Sequence, residues 1–250
     1  MDEQRAVIVT GAGGGLGAAT TRQLHERGVN VLAVDLDVGT LEATIGLHDE
    51  RIAYVSADVS NATEVERITT TTVQRFGRID ALFNNAATHG PAAPIEDYSE
   101  EAFRRVLDVN VIGVWLLMKA ALPELVRQKG RIVNVSSIAG LIGWKNLSGY
   151  TAAKHAVVGL TRAIAIEVAS QDVAVNALCP GSMDTPMLWE GAKGLGVDMQ
   201  TAGEMIASAI PRGTIGTPEE VAQVATWLLL DAPSFITGAA IPVDGGQTAT

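Results

Sequence analysis

Apolar positions along this chain fall in short dense runs, each followed by a stretch in which they recur every three or four residues. The first run, Ala6-Val7-Ile8-Val9, breaks at Thr10-Gly11. A continuous apolar run ended by a turn signal predicts a strand buried on both faces. Comparable runs cover residues 29–34, 52–55, 79–83, 131–135, 173–178 and 239–243. Helical spacing covers 18–24, 63–76, 100–128, about 150–170, and 218–230. Seven strands alternating with helices predict an α/β chain: one doubly wound, seven-stranded parallel sheet with helices on both faces, over residues 1–250. The Gly-rich stretch 191–203 is the only long segment without periodicity. It follows a strand's carboxyl end, where such sheets bind ligands, so a substrate lid is expected at about 182–212.

The first strand and helix are joined by Gly11-Ala12-Gly13-Gly14-Gly15-Leu16-Gly17. Glycines between a buried strand and a helix let backbone N–H groups approach a pyrophosphate, and the helix offers its positive end to the same anion. Gly11, Gly14, Gly15, Leu16 and Gly17 are the candidate contacts, and they make the sheet a Rossmann fold. The second strand ends at Asp35, eighteen residues after Gly17, where an acid can accept from the adenosine ribose hydroxyls. Asp35, with Asp37 nearby, would repel a 2′-phosphate, and Leu36 supplies no cation to hold one. NAD is therefore the expected cofactor.

Tyr150-Thr151-Ala152-Ala153-Lys154 puts a phenol and an ammonium one helical turn apart on one face. A free tyrosine titrates near ~10 and is a poor base at neutral pH. A nearby cation and the positive helix end are both expected to lower that value, making Tyr150 a general acid/base. His155 points off this face and reads as structural.

Composition narrows the partners. Lys+Arg 18 against Asp+Glu 28 gives a net charge of −10, which argues against nucleic acid or anionic membrane. The longest apolar run, residues 111–118, is too short to span a bilayer. The single cysteine, Cys179, excludes an intrachain disulfide and a cysteine-based zinc site, and no metal-ligand cluster is apparent. The N-terminus, Met1-Asp2-Glu3-Gln4-Arg5, lacks a signal pattern, so a reduced cytoplasmic setting is expected.

Taken together, these motifs resemble the classical short-chain dehydrogenase/reductase family over nearly the whole chain. The glycine motif appears as Thr10-Gly11-x-x-x-Gly15-x-Gly17, the family's Asn-Asn-Ala-Gly as Asn84-Asn85-Ala86-Ala87, and its C-terminal signature as Ile236-Thr237-Gly238 with Val243-Asp244-Gly245-Gly246. Ala87 departs from the usual glycine and adds a methyl near the cofactor. The resemblance implies that Asp58 and Val59 contact adenine, that Asn85 lies along the cofactor, and that Met183 and Thr185, after Pro180-Gly181, lie on its nicotinamide side. It implies a catalytic set of Asn110, Ser137, Tyr150 and Lys154. Ser137 would hold the substrate oxygen, Tyr150 exchange its proton, Lys154 bind the nicotinamide ribose, and Asn110 anchor a water leading to solvent.

The expected reaction is hydride transfer between a hydrophobic secondary alcohol, cyclic bodies included, and its ketone. Ile138, Leu141, Trp144, Met183, Met187, Leu188 and Trp189 are the apolar residues expected around the substrate. A reductase of carrier-bound 3-oxoacyl chains shares the same residues but commonly needs a basic surface for its acidic carrier. A non-catalytic dinucleotide sensor would need none of the four catalytic residues. The helix after Tyr150 is apolar almost all round, and the 111–126 segment is similar. A helix covering a sheet needs one apolar stripe, so the surplus predicts a two-fold subunit contact, and the family's homotetramer fits.

Overall fold

The computed structural model describes residues 4–193 and 196–249. The reading of Met1 to Glu3 therefore falls outside the described residues, as do positions 194 and 195 of the expected lid. The strands are β1 Ala6–Thr10, β2 Asn30–Asp35, β3 Ile52–Ser56, β4 Ala81–Asn84, β5 Arg131–Val135, β6 Ala174–Pro180 and β7 Ala240–Val243. They form one sheet in the order β3-β2-β1-β4-β5-β6-β7, and every pair is parallel. The doubly wound architecture expected from the alternation is thus the one observed. Strand order reverses between β1 and β4, so their carboxyl ends open a crevice.

Period-two alternation decides which core each strand residue joins. Val7 and Val9 pack with helices α1 (Gly15–Glu26), α2 (Val38–Ile45) and α9 (Pro218–Leu230). Ile8 packs on the other face with α3 (Ala62–Phe76), α5 (Gly113–Gln128) and α6 (Ser148–Val168). A buried polar ladder ties the second face to the site. Asn84 Nδ2 donates to Asn134 Oδ1 at 2.8 Å, and Asn134 Nδ2 donates to Thr161 Oγ1 of α6 at 3.0 Å.

Three details differ from expectation. Helix α2 is short and carries Gly39 and two threonines, weak helix formers. It forms because the Asp37 carboxylate accepts from the N–H groups of Gly39 and Thr40. The stretch 100–128 is not one regular helix: α4 (Glu100–Leu107) passes through a π turn, Asp108–Ile112, into α5. By length and composition this stretch could cross a membrane, contrary to the sequence expectation, but Leu117, Met118, Ala121 and Leu125 are buried in the sheet-facing core. Finally, the segment expected to be irregular is largely helical. α7 (Pro186–Ala192) is capped by Thr185 with Pro186 at its first position, and α8 (Met199–Ser208) is capped by Asp198. Capping residues, not apolar periodicity, set these two helices.

Candidate active site

The glycine loop leaves β1 under tight constraint. Gly11 has a φ of 62°, and a methyl group there would sit 2.8 Å from the Ala86 backbone. A methyl on Gly17 would collide with the Gly11 carbonyl. Asn85 braces the loop from β4: its Nδ2 donates to the carbonyls of Thr10 at 3.0 Å and Gly11 at 2.9 Å. This residue, expected along the cofactor, thus spends its side chain on holding the glycine loop. Helix α1 then starts at Gly15 with Gly14 as its cap residue, no side-chain cap and no acid in its first turn. Its first N–H groups are left for an anion.

At the end of β2, Asp35 Oδ2 accepts from the Gly13 N–H at 2.9 Å and Oδ1 from the Leu36 N–H at 2.8 Å. Leu36 is 62% exposed beside it. Asp58 Oδ1 accepts from the Ser60 N–H and hydroxyl, while Oδ2 faces Arg105 at 3.3 Å. These bonds hold its carboxyl below the usual range despite burial, which acts the other way. Val59 packs beneath Gly113. On the far side, a methyl on Gly15 would lie 2.9 Å from Thr185 Cγ2, so the start of the expected lid touches the glycine loop. Thr185 caps α7, and its hydroxyl lies 3.4 Å from the Met183 carbonyl. An uncapped helix end, a loop intolerant of side chains and a carboxylate at the second strand fit a dinucleotide.

The four candidate catalytic residues come from three elements. Asn110 is fully buried in the π turn, the kind of helix irregularity that collects at functional sites. Its amide closes a two-way pair with Thr88, Nδ2 to the carbonyl at 2.7 Å and Oδ1 from the N–H at 2.9 Å. Ser137 follows β5, and its Oγ accepts from the Ala139 N–H at 3.1 Å. Tyr150 is the third residue of α6, which also starts without a side-chain cap. The Ser136 hydroxyl clamps this helix to β5 by donating to the Lys154 carbonyl at 2.8 Å.

Lys154 Nζ lies 5.4 Å from the centre of the Tyr150 ring, as the spacing predicts, but it donates to the Val135 carbonyl at 2.9 Å. The expected lowering of the tyrosine does not occur. Burial pushes the Tyr150 phenol up to about 12, against a smaller opposite pull from the Ser137 hydroxyl. Burial also brings the Lys154 ammonium down to about 8. Desolvation disfavours a charge on either group and outweighs their proximity.

The apolar lining is corrected in part. Ile138 is buried in the core, and Leu141 packs against Val158, Ala177 and Cys179. Trp189 turns its indole N–H to Asp184 at 2.6 Å and its ring toward Gly203 of α8. Trp144 and Met187 are exposed. His155 is exposed, with Nδ1 on the Thr151 carbonyl, as its position implied. One residue was overlooked. The His89 ring lies over Tyr150, with centroids 5.1 Å apart and planes at 39°. Its place in the loop after β4, at the carboxyl edge of the sheet, was the available signal.

With this geometry in view, comparison with known proteins is decisive. The family profile described as "Enoyl-(Acyl carrier protein) reductase" matches residues 11–248. The chain is 39% identical to a 2,5-dichloro-2,5-cyclohexadiene-1,4-diol dehydrogenase from Sphingobium indicum, over 98% of this chain and 97% of that one. It is also 39% identical to a cyclohexanol dehydrogenase from an Acinetobacter species, over 98% and 95%. The chain belongs to the short-chain dehydrogenase/reductase family. The crystal structure of levodione reductase superposes with a TM-score of 0.92 at 36% identity, covering 98% of both chains. Structurally similar chains have been solved with NADPH and with NADH. This chain is accordingly an oxidoreductase between secondary alcohols and ketones that uses a nicotinamide dinucleotide.

Proposed function

We propose that this enzyme interconverts hydrophobic cyclic secondary alcohols and their ketones with NAD, using Tyr150 as the proton-exchanging residue. The observation that carries the reading is the Ser137–Tyr150–Lys154 group gathered after β5 and on the first turns of α6, with Lys154 buried and Ser137 and Tyr150 half-buried. The relatives that act on ring alcohols support the cyclic body.

The dinucleotide, when bound, accepts or returns the hydride at the carbinol carbon. Everything else is work for this chain. The free N–H groups of α1 and residues Gly14, Gly15, Leu16 and Gly17 hold the pyrophosphate. Asp35 takes the adenosine ribose hydroxyls, and Asp58 and Val59 border the adenine. Asn85 keeps the loop in shape, while Met183 and Thr185 lie on the nicotinamide side. Ser137 fixes the substrate oxygen. Tyr150 gives its proton to a ketone or takes one from an alcohol. A phenol raised to about 12 is protonated at neutral pH, which suits reduction; oxidation speeds up as pH climbs. Lys154 serves the nicotinamide ribose, and Asn110 anchors water toward solvent.

The segment 182–212 acts as the substrate lid, over the one catalytic domain of residues 1–250. Exposed Ile112 just before α5, Trp115 on α5 and Ile166 on α6 support a homotetramer, and a cytoplasmic setting completes the reading. Light scattering tests the assembly: a monomer at micromolar concentration would refute it. A kinetic panel of cyclic alcohols, polyols and hydroxy acids with both dinucleotides tests the rest. The expected result is cyclohexanol-type turnover with NAD preferred; a preference for polyols or for NADP would contradict it. A carrier-linked 3-oxoacyl substrate added to the panel tests the second reading.

A further inference from the structure

His89 lies at the carboxyl edge of the sheet, beside Tyr150. Its ring faces Tyr150 on one side. Near its Cε1–Nε2 edge is Gly191 of α7, where an added methyl would lie 3.8 Å from Cε1 and 4.0 Å from Nε2. Glycine at 191 therefore leaves that edge of the imidazole uncovered. The loop holding His89 is fixed from below. Gly90 has a φ of 68°, and a side chain on it would meet the Tyr98 hydroxyl at 2.5 Å and Val106 at 2.6 Å. Tyr98 also fills the space against Gly149, one residue before Tyr150, so the loop and the start of α6 share one support.

The two imidazole nitrogens have separate duties. Nδ1 lies 3.1 Å from the Gly90 carbonyl, which can only accept, so Nδ1 carries a hydrogen. Nε2 has no hydrogen-bond partner among the described residues. In a neutral ring it accepts from a hydroxyl, and in a charged ring it donates to a carbonyl. A purely apolar substrate closing over it would strand a polar nitrogen at a free-energy cost. A substrate with a second oxygen across its ring would satisfy it.

We infer that His89 is a specificity-determining residue whose Nε2 binds a second oxygen on the substrate ring, while Ser137 and Tyr150 hold the reacting one. The inference rests on the cyclic-alcohol reading above and narrows its substrate class to ring diols, diones and hydroxyketones. With ring centroids only 5.1 Å apart, His89 is close enough to Tyr150 for one small substrate ring to reach both side chains.

The test compares cyclohexanol with the cis and trans cyclohexane-1,4-diols, using NAD and three forms of the full-length protein. The unmodified enzyme should favour one diol over cyclohexanol in kcat/KM by about 10-fold. His89→Asn keeps a donor for the Gly90 carbonyl but removes the Nε2 position. It should erase that ratio to within about twofold, mainly through KM on the diol. His89→Gln carries an amide out to the Nε2 position and should restore a ratio of roughly 3-fold or more. No diol advantage in the unmodified enzyme would overturn the inference, as would equal losses on both substrates in His89→Asn. If the unmodified enzyme turned over neither alcohol, the cyclic-alcohol reading itself would fall; turnover of both without preference removes only the role of His89.

Discussion

The two loops that meet in the crevice are built from different material. After β1, and at the end of β2 beside it, the site is mostly backbone: glycines, the open end of α1 and one carboxylate held by N–H groups. After β5 it is side chain: Ser137, Tyr150 and Lys154, two of them with ionisation displaced by burial. Both regions contain a helix without a side-chain cap, whereas α2, α3, α4, α7, α8 and α9 are each capped. On the proposed reading, the first region binds a charge that is already present, which fixed dipoles do well. The second must move a proton, which requires groups that can change charge. Binding and chemistry are thus divided between two strands of one sheet.

Substitutions that cross this division should break it unequally. Tyr150→Phe removes the exchangeable proton and should lower kcat by about 10³-fold or more, with dinucleotide affinity measured by fluorescence titration nearly intact. Asp35→Ser combined with Leu36→Arg acts on the backbone-built region alone. It should shift the NADP-to-NAD ratio of kcat/KM by about 100-fold toward NADP, with little change in its dependence on pH. Gly17→Ala drives a methyl into the Gly11 carbonyl and should cost about 1–3 kcal/mol in urea unfolding, along with dinucleotide affinity.

Lys154→Met should shift stability with an unusual sign. The folded-state value of about 8 lies below the ordinary lysine value of 10.5, so folding resists this charge. The penalty is full below about pH 8 and fades by about pH 10.5. At pH 7 the variant should therefore gain roughly 1–3 kcal/mol of stability while losing activity, and the gain should vanish at high pH. Equal or lower stability at pH 7 would show that the ammonium is satisfied where it lies.

The same division explains what could be read from the chain. The parallel sheet was legible because its strands are continuous apolar runs, and Gly11 to Gly17 because a backbone-built site writes itself in glycines. Tyr150 and Lys154 were legible as a pair from their helical spacing. The sign of their displacement was not, since desolvation depends on the packing of β5, α6 and β6 around them. Helix α8 was hidden because its start is written in Asp198 and Thr201 rather than in apolar spacing. The π turn at Asn110 inserts into a helix whose apolar pattern continues on both sides. His89 was missed because no motif marks it, only its position in space against Tyr150.

The most direct test of the account follows an isotope. Cyclohexanol carrying deuterium at its carbinol carbon is incubated with NAD and the enzyme, and the products are read by mass spectrometry. The account predicts cyclohexanone and deuterium-labelled reduced dinucleotide in equal amounts, at a rate that rises with pH, with Tyr150→Phe yielding almost neither. Deuterium lost to water, or full label transfer in Tyr150→Phe, would contradict it.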